Sequence, residues 1–391
     1  MIERYVVEIG SLSKNHVGEE LCGDNVQVLK PDEKTNILVL ADGLGSGVKA
    51  NILSTLTSEM LATLMSNNLP IEECVQTIIM TLPVCKVRGV AYSTFSIVKV
   101  SDNKVAEIYN YDNPTPIILR EGKVLPVWWE TRLIENKKIS KAKIDIRPYD
   151  TIIIMSDGVL HAGIGETLNF GWGEEEIKNF VSTLYDKSYS SKALATMLVS
   201  HCDDLYAHKP GDDTTCAVLR LRERKQVSLM IGPASNKEDD ETMLSLFFAK
   251  EGVHIVSGGT TSSIVARYLN KPLDYALDYL DKEIPPIAKI EGVDLVTEGV
   301  VTINKVLEYA RDVLNGNDKY FYWSFREDGA SRIARYLFED ATDIDFYVGC
   351  AINPAHQAES MHINIKIKMQ LIEELAKCLE KMGKRIKVSY F

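Results

Sequence analysis

Three short acidic segments lie at the ends of strand-like runs: Leu38-Val39-Leu40-Ala41-Asp42-Gly43, Ile153-Ile154-Met155-Ser156-Asp157-Gly158 and Gly211-Asp212-Asp213-Thr214-Thr215. In the first two, an apolar run of the kind buried on both faces delivers an Asp-Gly pair to the point where a strand leaves the core. Carboxylates delivered that way converge readily, and a convergent cluster must be neutralised by hard divalent cations. The chemistry this allows is two-metal hydrolysis. A fourth acid, Asp24 in Cys22-Gly23-Asp24-Asn25, opens another strand. Asp42 runs into Gly43-Leu44-Gly45-Ser46-Gly47, where glycines let the backbone turn tightly and bring the Gly43 carbonyl close to a Mg²⁺ or Mn²⁺ ion. Taken singly, Asp-Gly is a turn signal. Its recurrence in these settings, together with Asp24, points to a site.

The elements that must position these acids are mostly strands. Candidates are Tyr5–Ile9, Asn25–Leu29, Ile37–Ala41, Ser93–Val100, Val105–Tyr111, Pro116–Arg120, Thr151–Met155 and Thr215–Leu221. Many are rich in β-branched or aromatic residues and bounded by Gly, Pro, Asn or Asp. Leu53, Leu56, Met60 and Leu64 form one apolar helical stripe after the first acid, and a second helix covers Ser191–Cys202. Paired strands with few helices imply a β-sandwich covered by helices.

The composition changes at Arg222-Glu223-Arg224-Lys225. Beyond it strand and helix alternate: Val227–Ile231 with Glu238–Lys250, His254–Ser257 with Ser262–Leu269, Asp294–Val296 with Ile303–Leu314, and Ile344–Val348 with Ile365–Lys381. A last strand covers Arg385–Tyr390. Alternation of this kind predicts a mostly parallel, doubly wound α/β sheet. The expected domains are therefore 1–222 and 223–391.

With 391 residues, about two domains is the natural expectation. A hydrophobic fraction of 45% is ordinary for a globular chain. The net charge of −11 and the lack of a dense basic run argue against nucleic acid as a partner. No apolar stretch reaches the roughly 20 residues of a membrane span, and Met1-Ile2-Glu3-Arg4-Tyr5 lacks the pattern of a signal peptide. A cytoplasmic location is the expectation. The seven cysteines (Cys22, Cys74, Cys85, Cys202, Cys216, Cys350 and Cys378) are scattered, which reads as reduced and structural.

The segments Gly23-Asp24-Asn25, Ala41-Asp42-Gly43-Leu44-Gly45-Ser46-Gly47, Tyr92-Ser93-Thr94-Phe95, Met155-Ser156-Asp157-Gly158 and Asp212-Asp213-Thr214-Thr215 occur in one order. In that order and spacing, residues 5–221 resemble the metal-dependent (type 2C-like) protein phosphatases of the stage II sporulation protein E branch. The resemblance implies an α-β-β-α sandwich holding two Mn²⁺ or Mg²⁺ ions at one end. It implies that Asp42 bridges the ions, that Asp157 and Asp212 hold the first, and that the Gly43 carbonyl and Asp24 serve the second. Asp213 is the alternative to Asp212. The catalytic pair would be Asp42 and Asp157. Relatives outside this branch carry a phosphate-gripping Arg upstream; here Ser13-Lys14-Asn15-His16 has none, leaving Lys14 or His16, and Lys binds phosphate only as a point charge.

In the second domain, strand-like runs end in loops of small residues: Gly232-Pro233-Ala234-Ser235, Ser257 to Ser263, Thr297-Glu298-Gly299 and Gly349 to Pro354. At the carboxyl edge of a doubly wound sheet such loops meet ligands. Gly258, Gly259, Thr260, Thr261 and Ser262 open a helix with backbone N–H groups and hydroxyls that suit a small anion. Well-capped helices in a homodimerisation module would look the same. The functional expectation is a phosphoserine/phosphothreonine protein phosphatase with a phosphoprotein substrate, regulated by its C-terminal domain. The alternatives are a phosphatase of a small phosphoester and a non-catalytic metal-bound scaffold.

Overall fold

A computed structural model describes residues 4–82, 93–275, 284–315, 320–351 and 358–391. Tyr92, Cys85 and Ile352 to Pro354, named above, lie outside them. The chain divides into two compact units, Met1–Glu223 and Arg224–Phe391.

The strands of the first unit are β1 (Tyr5–Lys14), β2 (Asp24–Leu29), β3 (Asn36–Asp42), β4 (Thr94–Ser101), β5 (Val105–Tyr111), β6 (Ile117–Arg120), β7 (Lys123–Val124), β8 (Glu130–Ile134), β9 (Lys137–Asp145), β10 (Thr151–Met155) and β11 (Thr214–Glu223). Its helices are α1 (Gly47–Ser66), α2 (Ile71–Thr81), α3 (Asp157–Leu160), α4 (Glu174–Leu184) and α5 (Ser191–Leu205). One sheet runs β2-β3-β4-β5-β9-β8 and the other β1-β11-β10-β6-β7.

The continuous apolar runs have a direct cause. Leu38 and Leu40 of β3 meet Ile152 and Ile154 of β10 in a core between the two sheets, with Ala217 and Leu219 of β11. The alternate residues face outward: Ile37, Val39 and Ala41 pack with α1 and α2 residues such as Leu61 and Ile78. On the other side Ile153, Met155, Cys216 and Val218 pack with Leu198 and Val199 of α5. Strands covered on both faces have no polar side to show. The result is an α-β-β-α sandwich in a mixed α+β fold.

One expectation about a packing face needs correction. Leu56 of α1 is exposed and Leu53 half-buried, while the face turned to the sheet carries Ala50, Ser54, Thr57, Ser58, Leu61 and Ala62. Only Met60 and Leu64 of the expected stripe pack against that core. Small residues let α1 approach the sheet closely, and Asn25 Nδ2 donates to Ser58 Oγ at 2.6 Å.

The second unit contains β12 (Gln226–Ile231), α6 (Lys237–Phe248), β13 (Val253–Ser257), α7 (Gly259–Leu269), β14 (Asp274–Tyr275), β15 (Ala288–Lys289), β16 (Leu295–Thr297), α8 (Val300–Leu314), α9 (Tyr320–Ser324), α10 (Gly329–Ala334), β17 (Asp343–Val348), α11 (Ala358–Lys381) and β18 (Arg385–Tyr390). Its sheet runs β14-β15-β16-β13-β12-β17-β18, parallel from β16 to β18, with antiparallel pairing confined to the β14 and β15 edge. It is a doubly wound α/β sheet.

Candidate metal centre

Topology gathers the acids of the first unit. β2 and β3 are antiparallel with Asp24 opposite Asp42, so one end of that sheet carries both. β10 and β11 are also antiparallel, with Met155 opposite Cys216, so Asp157 leaves β10 where Asp212 and Asp213 enter β11. That junction is tied by hydrogen bonds. The Ser156 N–H donates to the Thr215 carbonyl (3.0 Å), and the Thr215 N–H donates back to Ser156 Oγ (2.9 Å).

The Asp42 strand end is shaped by a close backbone approach. The Gly43 N–H donates to the Gly23 carbonyl at 3.1 Å, and a Cβ on Gly43 would meet the Ala50 carbonyl oxygen at 2.2 Å. Only glycine lets the loop lie flat against the start of α1 there.

The electrostatics of the cluster are those of uncompensated carboxylates. Asp24 is 4% exposed, and neither of its carboxylate oxygens has a hydrogen-bond partner among the described residues. The Ser156 and Thr215 hydroxyls lie nearby but serve others: Ser156 Oγ donates to the Asp213 carbonyl and Thr215 Oγ1 to Ser13 Oγ. Burial pushes Asp24 up to about 8, against the pull of those hydroxyls, and the charges of Asp213 and Asp157 add to the rise. Burial likewise drives Asp42 up to about 9, reinforced by Asp24, Asp157 and Asp212. Asp212 is raised by burial and by Asp157. Unpaired buried carboxylates are costly unless a cation or proton joins them. The donor set, carboxylates with orphaned oxygens, fits hard divalent cations.

The two neighbouring acids of β11 face different partners. Asp212 lies with Asp157 and His161, one ligand atom of each falling within 4.8 Å of the others. Asp213 accepts the His16 backbone N–H at 3.0 Å through Oδ1, and its buried Oδ2 has no partner among the described residues. Lys14, at the end of β1, donates to Asp203 of α5 at 3.1 Å, and His16 Nδ1 is buried without a hydrogen bond among the described residues. His161 is the residue that the sequence reading missed. Its only signal is a spacing of four from Asp157, one helical turn on the same face.

In the second unit, the Gly232 N–H donates to Thr261 Oγ1 at 2.9 Å and Ser262 Oγ donates to the Gly258 carbonyl at 2.8 Å. The Thr261 hydroxyl thus ties two carboxyl-edge loops together, while Ser262 bonds within the first turn of its own helix. Gly258 takes a φ of 115°, which favours glycine, while Gly259 and Thr260 are exposed at the start of α7.

Residues 32–222 match the family model described as Stage II sporulation protein E (SpoIIE), a span that begins after Lys14, His16 and Asp24. No curated protein sequence matches the chain. Among solved structures, the chain is similar to the PP2C phosphatase domain with a fragment of the regulatory domain of SpoIIE from Bacillus subtilis, at 19% identity and a TM-score of 0.48. That alignment covers 56% of this chain and 64% of the other, so the chain spans somewhat under two thirds of that relative. The SpoIIE phosphatase domain alone, also from Bacillus subtilis, aligns at 18% identity over 57% of this chain and 95% of that one, with a TM-score of 0.45. The RsbU and RsbW domains of a Mycobacterium tuberculosis protein align at 15% identity over 62% and 67%, with a TM-score of 0.47. Residues 32–222 thus carry a PP2C-like phosphatase domain of the SpoIIE family.

Proposed function

We propose that the first unit is a protein serine/threonine phosphatase that works with two Mn²⁺ or Mg²⁺ ions. The observation that carries this reading is the Asp24 carboxylate, buried beside Asp42, Asp157 and Asp213 with both oxygens unpartnered among the described residues. Asp42, opposite Asp24 and beside Asp157 and Asp212, is the carboxylate suited to be shared between two ions. Asp157 and Asp212 would hold one of them, and Asp24 with the Gly43 carbonyl the other. Asp213 holds the β1 loop through His16 and leaves one oxygen toward the cluster.

Bound there, the cations would lower the pKa of a water molecule and neutralise charge on a phosphoryl group. The chain's own contribution is to preset the carboxylates on strand ends locked by the β10–β11 hydrogen bonds, so that little reorganisation is left for the reaction. Lys14 is anchored by Asp203 next to His16, and these two are the proposed phosphate contacts. The proposal assigns regulation to the second unit, through a small anion at the exposed Gly259 and Thr260. The test is hydrolysis of a phosphoserine or phosphothreonine peptide by the full chain. Turnover should require added Mn²⁺ or Mg²⁺ and vanish in Asp42→Asn. Equal activity of that variant in excess chelator would overturn the reading.

A further inference from the structure

We propose that a ring nitrogen of His161 ligates the cation held by Asp157 and Asp212, so that this position selects a first-row transition ion such as Mn²⁺, Fe²⁺ or Co²⁺ over Mg²⁺. The inference rests on the metal-centre reading above and adds to it a nitrogen donor and a metal preference. Its ground is geometric. One ligand atom from each of Asp157, His161 and Asp212 lies within 4.8 Å of the other two, the span of a single ion's coordination shell. The His161 ring makes no hydrogen bond to any described residue. Asp24 and Asp213 supply buried carboxylate oxygens, unpartnered among the described residues, beside the same cluster.

The turn that carries His161 is held from three sides. The His161 N–H donates to the Asp157 carbonyl at 2.9 Å, which puts both side chains on one face. Tyr206 Oη donates to the Gly158 carbonyl at 2.9 Å, and the Trp172 N–H donates to the Leu160 carbonyl at 2.8 Å. Gly158 lies so near β11 that a Cβ there would meet the Asp213 carbonyl oxygen at 2.2 Å. Val159 and Ala162 are fully buried between these contacts, so the backbone cannot carry the imidazole away. A ligand on a turn fixed this way loses little freedom when an ion arrives.

The chemical consequence follows from ligand type. Mg²⁺ demands oxygen donors and near-octahedral geometry, whereas imidazole is a good donor to transition ions along the Irving–Williams order. A site built from two carboxylates and one imidazole therefore favours transition ions over Mg²⁺ more strongly than one built from carboxylates alone.

The experiment uses the full chain, with Mn²⁺ and Mg²⁺ as the probes. Mn²⁺ binding is followed by electron paramagnetic resonance, nitrogen coupling by electron spin-echo modulation, and Mg²⁺ binding by calorimetry. Wild-type protein should show ¹⁴N modulation on bound Mn²⁺, absent in His161→Ala and His161→Gln. Mn²⁺ affinity in both variants should fall by at least about tenfold, the loss typical even of an outer-shell partner. Mg²⁺ affinity should change far less. Bound Mn²⁺ without nitrogen coupling in the wild type, or coupling that survives in His161→Ala, overturns the inference and leaves the metal centre standing. No Mn²⁺ binding by the wild type at millimolar concentration overturns the metal-centre reading itself, and this inference with it.

Discussion

Replacing Asp42 by Asn should stabilise the metal-free protein while abolishing its response to metal. Asp42 rises from 3.8 to about 9 on folding, chiefly because burial removes water from its carboxylate. A group raised on folding contributes stability that is fully present below the unfolded value and lost as pH climbs through the folded one. At pH 7 the folded chain must hold a proton that the unfolded chain has released. That costs about 4 kcal/mol for an isolated group, and about 2–4 kcal/mol when Asp24, Asp157 and Asp212 share the repulsion. Asn carries no such penalty. In excess chelator, Asp42→Asn should therefore match the wild type near pH 4 and exceed it by about 2–4 kcal/mol at pH 7. Hydrogen exchange of the slowest amides of β3, buried from Ile37 to Ala41, reads this for the first unit alone. Added Mn²⁺ should then protect the wild type and leave Asp42→Asn unchanged. A gap independent of pH, or a less stable variant in chelator at pH 7, would refute the electrostatic reasoning.

Three further substitutions test the geometry. Gly158→Ala should push α3 off β11, because the new methyl would lie 2.2 Å from the Asp213 carbonyl oxygen; overpacking of this sort costs about 1–3 kcal/mol, and Mn²⁺ titration should show weakened binding. Asp212→Asn should raise the Mn²⁺ concentration for half-maximal turnover well above the effect of Asp213→Asn, since Asp212 sits with Asp157 and His161 while Asp213 Oδ1 is taken by the His16 N–H. The reverse order in the same titration would move the ligand by one residue.

The sandwich was legible because β3 and β10 are buried on both faces, which leaves uninterrupted apolar runs ending in Asp-Gly. The alternation of strand and helix after Arg224 was legible for a related reason: a parallel sheet with helices over it repeats one unit. Other elements carried weaker signals. The hairpin β8–β9 is rich in exposed Lys, Arg and Glu, and α4 opens on Glu174, Glu175 and Glu176, so neither shows a broad apolar pattern. The buried face of α1 was misread because it is made of small and hydroxyl-bearing residues that permit close approach, while apolar side chains such as Val48, Ile52 and Leu56 lie exposed. His161 sits one turn beyond Asp157, and a lone histidine there carries no apolar or turn signal. What brings it to Asp212 is the β10–β11 pairing, which lies in the fold and not in local sequence.

Anomalous diffraction at the manganese edge, from crystals of the full chain grown with Mn²⁺, tests the central claim most directly. The account predicts two peaks about 4 Å apart, the usual separation in two-metal sites. One should lie among Asp42, Asp157 and Asp212, and the other between Asp42 and Asp24. No peak within reach of Asp42, or a single peak that leaves Asp24 unliganded, would contradict it.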